Sequence, residues 1–277
     1  MSAGKLTDLS KLCIHTITTR PWNIEQALEN YAGAGVAGIT VWRQWLEGRK
    51  PEVVGRLARE SGLEVVSVAR GGFFPAPTEA GRQAAVEDNR RAIDEAAGLG
   101  APILVLVCGA APGQSIADNL AQISEGIEAL LPQAEQCGVR LGIEPLHPLY
   151  ADTRSAIVKM KTANDVCEAI GSPWLGITVD VYHVWWDPDL EAEIERAAGS
   201  GRLFSFHICD WKTPLEDLLN DRGLMGEGIA DVRGIRGLME KHGFRGFNEV
   251  EIFSNRWWAA NQHVFLGKII EAYLEHS

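Results

Sequence analysis

Paired cysteines are missing from this chain. Its 277 residues include five, Cys13, Cys108, Cys137, Cys167 and Cys209, an odd number with no C-x-x-C pair. That argues against a disulfide framework and against a structural zinc site. Three of the five sit inside apolar runs, where a free thiol behaves as a small inert hydrophobe. No segment approaches the roughly 18 uninterrupted apolar residues of a membrane span, and the opening "MSAGKLTDLSKL" lacks the apolar block of a secretory signal. A cytoplasmic location and no membrane partner are therefore expected. Basic charge is also scarce. Lys and Arg number 26 against 37 Asp and Glu, a formal charge of -11, which repels a phosphate backbone and removes nucleic acid from the expected partners.

A composition break, a long linker and a low-complexity stretch are absent too, and a single unit repeats instead. A helix-like segment, a glycine and a short apolar run recur in "YAGAGVAGITVW", "LARESGLEVVSVA", "AAGLGAPILVLV", "AEQCGVRLGIEP", "EAIGSPWLGITVD", "AAGSGRLFSFHIC" and "MEKHGFRGFNEVEI". The glycine stands where a helix C-terminus needs a left-handed residue, and the runs after it suit buried parallel strands. "KLCIHTI" supplies an eighth strand. Strands recur every roughly 27 to 42 residues, the size of one βα unit. The expected fold is α/β, a single (β/α)8 TIM barrel forming one domain over residues 1–277. A doubly wound open sheet is the alternative, but it would open on a glycine-rich turn, and "HTITTRPWN" is not one.

In such a barrel the site lies at the C-terminal ends of the strands. Side chains alternate along a strand, so parity sorts them. Val139, Leu141 and Ile143 oppose Arg140, Gly142 and Glu144. Leu175, Ile177 and Val179 oppose Gly176, Thr178 and Asp180. Phe204, Phe206 and Ile208 oppose Leu203, Ser205 and His207, and Val250 and Ile252 oppose Glu249 and Glu251. With the large apolar face toward the helices, Glu144, Asp180, His207 and Glu251 project inward at four neighbouring tips. Three carboxylates this close cannot all stay ionised unaided, and one divalent cation resolves the conflict. Three oxygen donors and one imidazole suit Mn2+ first, with Mg2+, Co2+ or Zn2+ as alternatives. Glu249 lies one pleat deeper and is expected to have an interior role, paired with Arg140.

The pieces "GIEPLH", "TVDVYH", "FHICD", "GEGIAD" and "VEIF", in this order between about residues 140 and 255, carry a family likeness. The sequence resembles the xylose isomerase-like TIM barrel superfamily, in particular its sugar phosphate isomerase/epimerase branch. The resemblance implies a metal held by Glu144, Asp180, His207 and Glu251, with His183 beside it contacting substrate or a ligand. It also implies a substrate contact from Arg222. The DNA-repair endonucleases of the superfamily take extra metal ligands from earlier strands, which here end near Trp42, Arg70 and Cys108.

A metal among carboxylates can bind adjacent oxygens of a keto-sugar and stabilise an enediolate, while Glu144 and Glu251 exchange the proton from opposite sides. The expected activity is that of a sugar or cyclitol isomerase or epimerase in carbohydrate metabolism. The alternative is a lyase, giving β-elimination on a keto-sugar or keto-glycoside, and a rival of another class is a non-catalytic sugar-binding subunit. Eight of the nine tryptophans fall at or after strand C-termini, where aromatic faces can meet a sugar ring. Trp42 and Trp185 are the expected substrate contacts, and Trp185, Trp186, Trp257 and Trp258 could equally wall a subunit contact of a homo-oligomer. His15 and His147 could each be a base, a donor to a sugar hydroxyl, or a residue bonded to a neighbouring loop. For a phosphorylated substrate Arg20, Arg43, Arg70, Lys159 and Arg222 are available, and the "GEG" turn is a weak phosphate cradle.

Overall fold

The computed structural model describes residues 4–277. Eight strands run β1 (Leu12–His15), β2 (Gly38–Trp42), β3 (Glu64–Gly72), β4 (Ile103–Val107), β5 (Arg140–Ile143), β6 (Leu175–Asp180), β7 (Leu203–Ile208) and β8 (Asn248–Val250). Each pairs in parallel with the next, and β1 pairs with β8, which closes the sheet into a barrel. Closure leaves no edge strand exposed. Long helices cover the outside, among them α1 (Ile24–Gly33), α2 (Pro51–Glu60) and α3 (Glu79–Leu99). None of the described helices is long and apolar enough to cross a membrane.

Local chemistry sets these elements. Asn23 caps α1 through a reciprocal pair with Gln26, and Thr78 caps α3 by accepting from the Gly81 amide, each satisfying an amide that the first helical turn leaves free. The glycines that end the helices take the left-handed backbone the repeat requires, as at Gly100 (φ 79) and Gly138 (φ 68). Leu12, Ile14, Leu104 and Leu106 join the large core shared with the helices. Ile103 and Val105, of opposite parity on β4, pack in a separate cluster inside the barrel.

One strand departs from simple alternation. Phe204 packs with Ile103 and Val105 rather than with the helix-facing core expected for it. The β6–β7 register jumps from Ile177↔Leu203 to Thr178↔Ser205, an irregularity that skips Phe204. A bulge leaves one residue unpaired and turns its side chain. Gly176 makes room, since a Cβ there would stand 2.5 Å from the Phe204 ring. Above the bulge the register recovers, and Asp180 sits opposite His207.

The tip of β3 is held against β4 by Asn89 of α3. Its side chain accepts from the Gly72 amide at 2.6 Å and donates to the Gly72 carbonyl at 2.8 Å. Gly72 has φ 106, and a Cβ there would lie 1.9 Å from the Val107 carbonyl oxygen. Gly72→Ala therefore faces both a disallowed backbone and a collision, and should destabilise the protein by about 3 kcal/mol. Gly113 also has positive φ, but a Cβ added there would meet nothing within 4 Å, so Gly113→Ala should lose only about 1 kcal/mol. Urea denaturation of both variants checks the difference.

Candidate metal centre

β5, β6, β7 and β8 each deliver one polar side chain to the C-terminal rim. Glu144 follows β5 directly, Asp180 ends β6, His207 lies on β7 and Glu251 follows β8. All four are buried. One ligand atom from each lies within 4.8 Å of those of the other three, so one ion could be held by all four. A second grouping, His15, His207 and Glu251, shares two of these residues.

The electrostatics show how crowded this cluster is. Burial, reinforced by Glu251 and Glu144, lifts the Asp180 carboxyl to about 7. Burial would lift Glu251 too, but the Arg222 guanidinium and His15 outweigh it and hold Glu251 well below the carboxylate range. Burial disfavours the His207 imidazolium, yet Glu144, Glu249 and Glu251 overcome it and raise that group to about 10. His207 Nδ1 lies 3.0 Å from Glu144 Oε1, an ion-pair distance, and neither atom makes a hydrogen bond there or to any other group. Buried polar atoms are normally satisfied. Two unpartnered ligand atoms turned toward one space, among hard oxygen donors, are what a divalent cation would satisfy.

Arg222 spans the cluster. Its Nη1 donates to Asp180 at 3.0 Å and to Glu251 at 2.6 Å, and its guanidinium lies 4.4 Å from the Tyr182 ring centre and 5.0 Å from that of Phe253. His183 Nε2 lies 3.2 Å from Arg222 Nη2. Its Nδ1 accepts the His147 backbone amide at 3.1 Å, so both ring nitrogens face N–H donors. Burial and Arg222 together hold His183 well below its ordinary range, neutral at pH 7.

Above the cluster opens a narrow cleft lined by Trp42, Val107, Glu144, Leu146, Tyr150, Arg154, His183, Leu219, Arg222, Glu251 and Phe253. Of the expected substrate contacts, Trp42, His183 and Arg222 reach it. His15 lies beneath it, fully buried, accepting from Trp42 Nε1 at 3.2 Å and 3.3 Å from Glu249. His147 stacks on Trp211 at 4.5 Å, and Trp185 packs on Trp211 at 5.7 Å. Neither is among the lining residues. Trp186 hydrogen-bonds the His183 carbonyl, Trp257 stacks on Phe265, and Trp258 bonds the Ile17 carbonyl, so these three brace loops.

Two interior expectations are corrected. Glu249 does not pair with Arg140, which lies over the Phe204 ring at 4.6 Å. It accepts instead from the hydroxyls of Thr40 at 2.6 Å and Ser67 at 2.9 Å and from that of Ser205. Burial opposes its charge, but His15 and His207 with the Ser205 hydroxyl hold it down at about 2. The "GEG" turn cradles no free anion, because Asp210 fills it, accepting from the amides of Gly226, Gly228 and Ala230 at 2.9, 2.9 and 3.0 Å. Sequence patterning does not single out Arg154, Tyr150 and Phe253. They sit on loops, where no periodicity marks them.

Glu249 lies 3.8 Å from His207 Nε2, the ring nitrogen turned away from Glu144. At that distance it makes no hydrogen bond to the ring and acts through its charge, which raises the basicity of the imidazole. Glu249→Gln should keep the fold and weaken zinc binding by about ten- to hundredfold, as read by competition against a chelating dye.

The chain matches the family described as xylose isomerase-like TIM barrel over residues 28–268. It is 43% identical to the protein SMc04130 of Sinorhizobium meliloti 1021, with a TM-score of 0.92 covering 96% of this chain and 98% of that one. The IOLI protein, whose crystal structure holds a zinc atom, superposes with a TM-score of 0.83 at 18% identity, over 95% of this chain and 96% of that one. The 3-keto-D-glucoside 4-epimerase YcjR of E. coli superposes with a TM-score of 0.78 at 18% identity, covering 95% and 98%. At these lower identities the likeness is one of fold. No curated protein sequence matches the chain. The barrel, its strand-tip cluster and the extent of the match agree, and the chain belongs to the xylose isomerase-like TIM barrel family.

Proposed function

We propose that the protein is a divalent-metal-dependent isomerase or epimerase of a sugar or cyclitol, acting by proton transfer at a carbon next to a carbonyl. The observation that carries this is the convergence of Glu144, Asp180, His207 and Glu251 on one point, with buried ligand atoms of Glu144 and His207 unpartnered. The three carboxylates favour manganese in the cell, and the zinc of the IOLI relative suggests that zinc also fits. Bound there, the ion would act as a Lewis acid, drawing off the negative charge that develops as a proton leaves the neighbouring carbon.

The chain's own residues do the rest. Glu144 and Glu251 stand on opposite sides of the cluster, from β5 and β8. One removes the proton, and the other returns it to the far face of the same carbon or to the neighbouring carbon. The first course epimerises and the second isomerises. His183, neutral and lining the cleft, hydrogen-bonds a substrate hydroxyl. Arg222 carries a fixed positive charge on the same side and steadies a hydroxyl or oxyanion. Trp42, Val107, Leu146 and Phe253 supply the apolar wall that keeps water from the reacting carbon and strengthens these interactions.

Solvent deuterium exchange tests the proposal. Manganese-loaded protein in D2O should place one deuterium on a carbon next to the carbonyl of its keto-sugar substrate. Glu144→Gln and Glu251→Gln should each slow this by about a hundredfold or more. A product carrying a carbon–carbon double bond or a released aglycone would instead establish the lyase. Absence of exchange in any keto-sugar by metal-loaded protein would favour the binding subunit.

A further inference from the structure

Among the described residues two guanidinium groups at the barrel mouth make no ion pair. Arg154, on the loop after β5, lines the cavity. Its backbone is fixed, the amide donating to the Tyr150 carbonyl at 2.9 Å and the carbonyl accepting from Gly109 at 2.9 Å. Arg70, near the end of β3, lies over the Phe73 ring at 4.1 Å. Phe73 in turn packs on Val107, Leu146 and Tyr150, three residues of the cavity wall. The Asn89 clamp on Gly72 anchors this stretch. Among the described residues neither side chain makes a hydrogen bond or an ion pair, although both arginines are half-buried. Burial and then the charge of Arg154 bring Arg70 down to about 10.

The other cations near the mouth are committed or exposed. Arg43 is tied to Asp88 at 2.8 Å and to Glu95 at 2.6 Å. Arg20 and Lys159 are exposed, so water meets their charge. Arg222 bridges Asp180 and Glu251. Charge balance sharpens the contrast. A divalent ion together with Arg222 would match the three negative charges of Glu144, Asp180 and Glu251, and Glu249 lies below them among the hydroxyls of Thr40, Ser67 and Ser205. Arg154 then lines the cleft with no bonded counter-ion, and Arg70 stands behind its wall over Phe73. Two like charges held close in a partly dry site are unfavourable, and an incoming anion relieves this.

We propose that Arg154 and Arg70 form an anion subsite, and that the substrate is a polyol carbonyl compound carrying a carboxylate or phosphate remote from the reacting carbon. The inference rests on the isomerase reading for the rest of the substrate, and it adds the charge. The planar fork of arginine suits either oxyanion. A carboxylate makes the substrate a sugar acid, and a phosphate makes it a phosphoester.

Titration calorimetry on the manganese-loaded protein separates these cases with three probes: ribitol, ribonate and ribitol 5-phosphate. At least one anion should bind about ten- to hundredfold more tightly than ribitol, the range expected of charge-assisted hydrogen bonds, and whichever leads names the substrate's charged group. Arg154→Gln and Arg70→Gln should each erase most of that preference at unchanged manganese content and unchanged ribitol affinity. Arg154→Lys, which keeps the charge and loses the fork, should fall between. Anions that bind no better than ribitol, or a preference that survives Arg70→Gln combined with Arg154→Gln, would overturn the subsite. Either result would leave deuterium exchange as an independent test of the enzyme reading.

Discussion

Mutual repulsion among Glu144, Asp180 and Glu251 is the constraint around which the mouth of this barrel is arranged. Closing eight parallel strands brings their tips together whatever the tips carry. Here three tips carry carboxylates, all buried, where water cannot screen them. Arg222 answers part of the charge by bridging two of the three, and it leaves Asp180 and Glu251 with opposite fates, one lifted and one held down. His207 answers another part. A divalent cation in the same space would complete the neutralisation and free Arg222 to face substrate.

The layers below and above follow from that centre. Beneath it, Glu249 is held by hydroxyls from β2, β3 and β7 and lies 3.3 Å from His15 Nε2, a buried network built around one carboxylate. Such a floor sets a fixed negative charge behind His207. Above it, loops from different βα units meet through Tyr150 and Tyr182, which both donate to the Leu218 carbonyl. Rigid strand ends therefore hold the ligand cluster, while the loops give the cavity its walls and its charge.

Much of this is legible in the sequence. The glycine-then-apolar repeat predicts seven strands and "KLCIHTI" the eighth, and the parity of their last residues gathers Glu144, Asp180, His207 and Glu251, which the structure brings to one point. Parity fails at Phe204 because a bulge between β6 and β7 shifts the register, and nothing in "RLFSFHIC" announces an unpaired residue. The partners of Glu249 escape notice for another reason. Thr40, Ser67 and Ser205 lie on three separate strands, and single hydroxyls in apolar runs look like filler until closure points them at one carboxylate. Arg154 and Tyr150 are illegible because loop residues obey no period. His147 and Trp185 stand near the site in sequence, but Trp211 draws both away from the cavity.

The account stands on one ion being shared by four strand tips. Crystals grown with zinc, with data collected on either side of the zinc edge, test this most directly. The expected result is one anomalous peak about 2.0–2.2 Å from donor atoms of Glu144, Asp180, His207 and Glu251, with Arg222 turned away from at least one carboxylate. An empty cluster under saturating zinc, or a peak held by other residues, would contradict it.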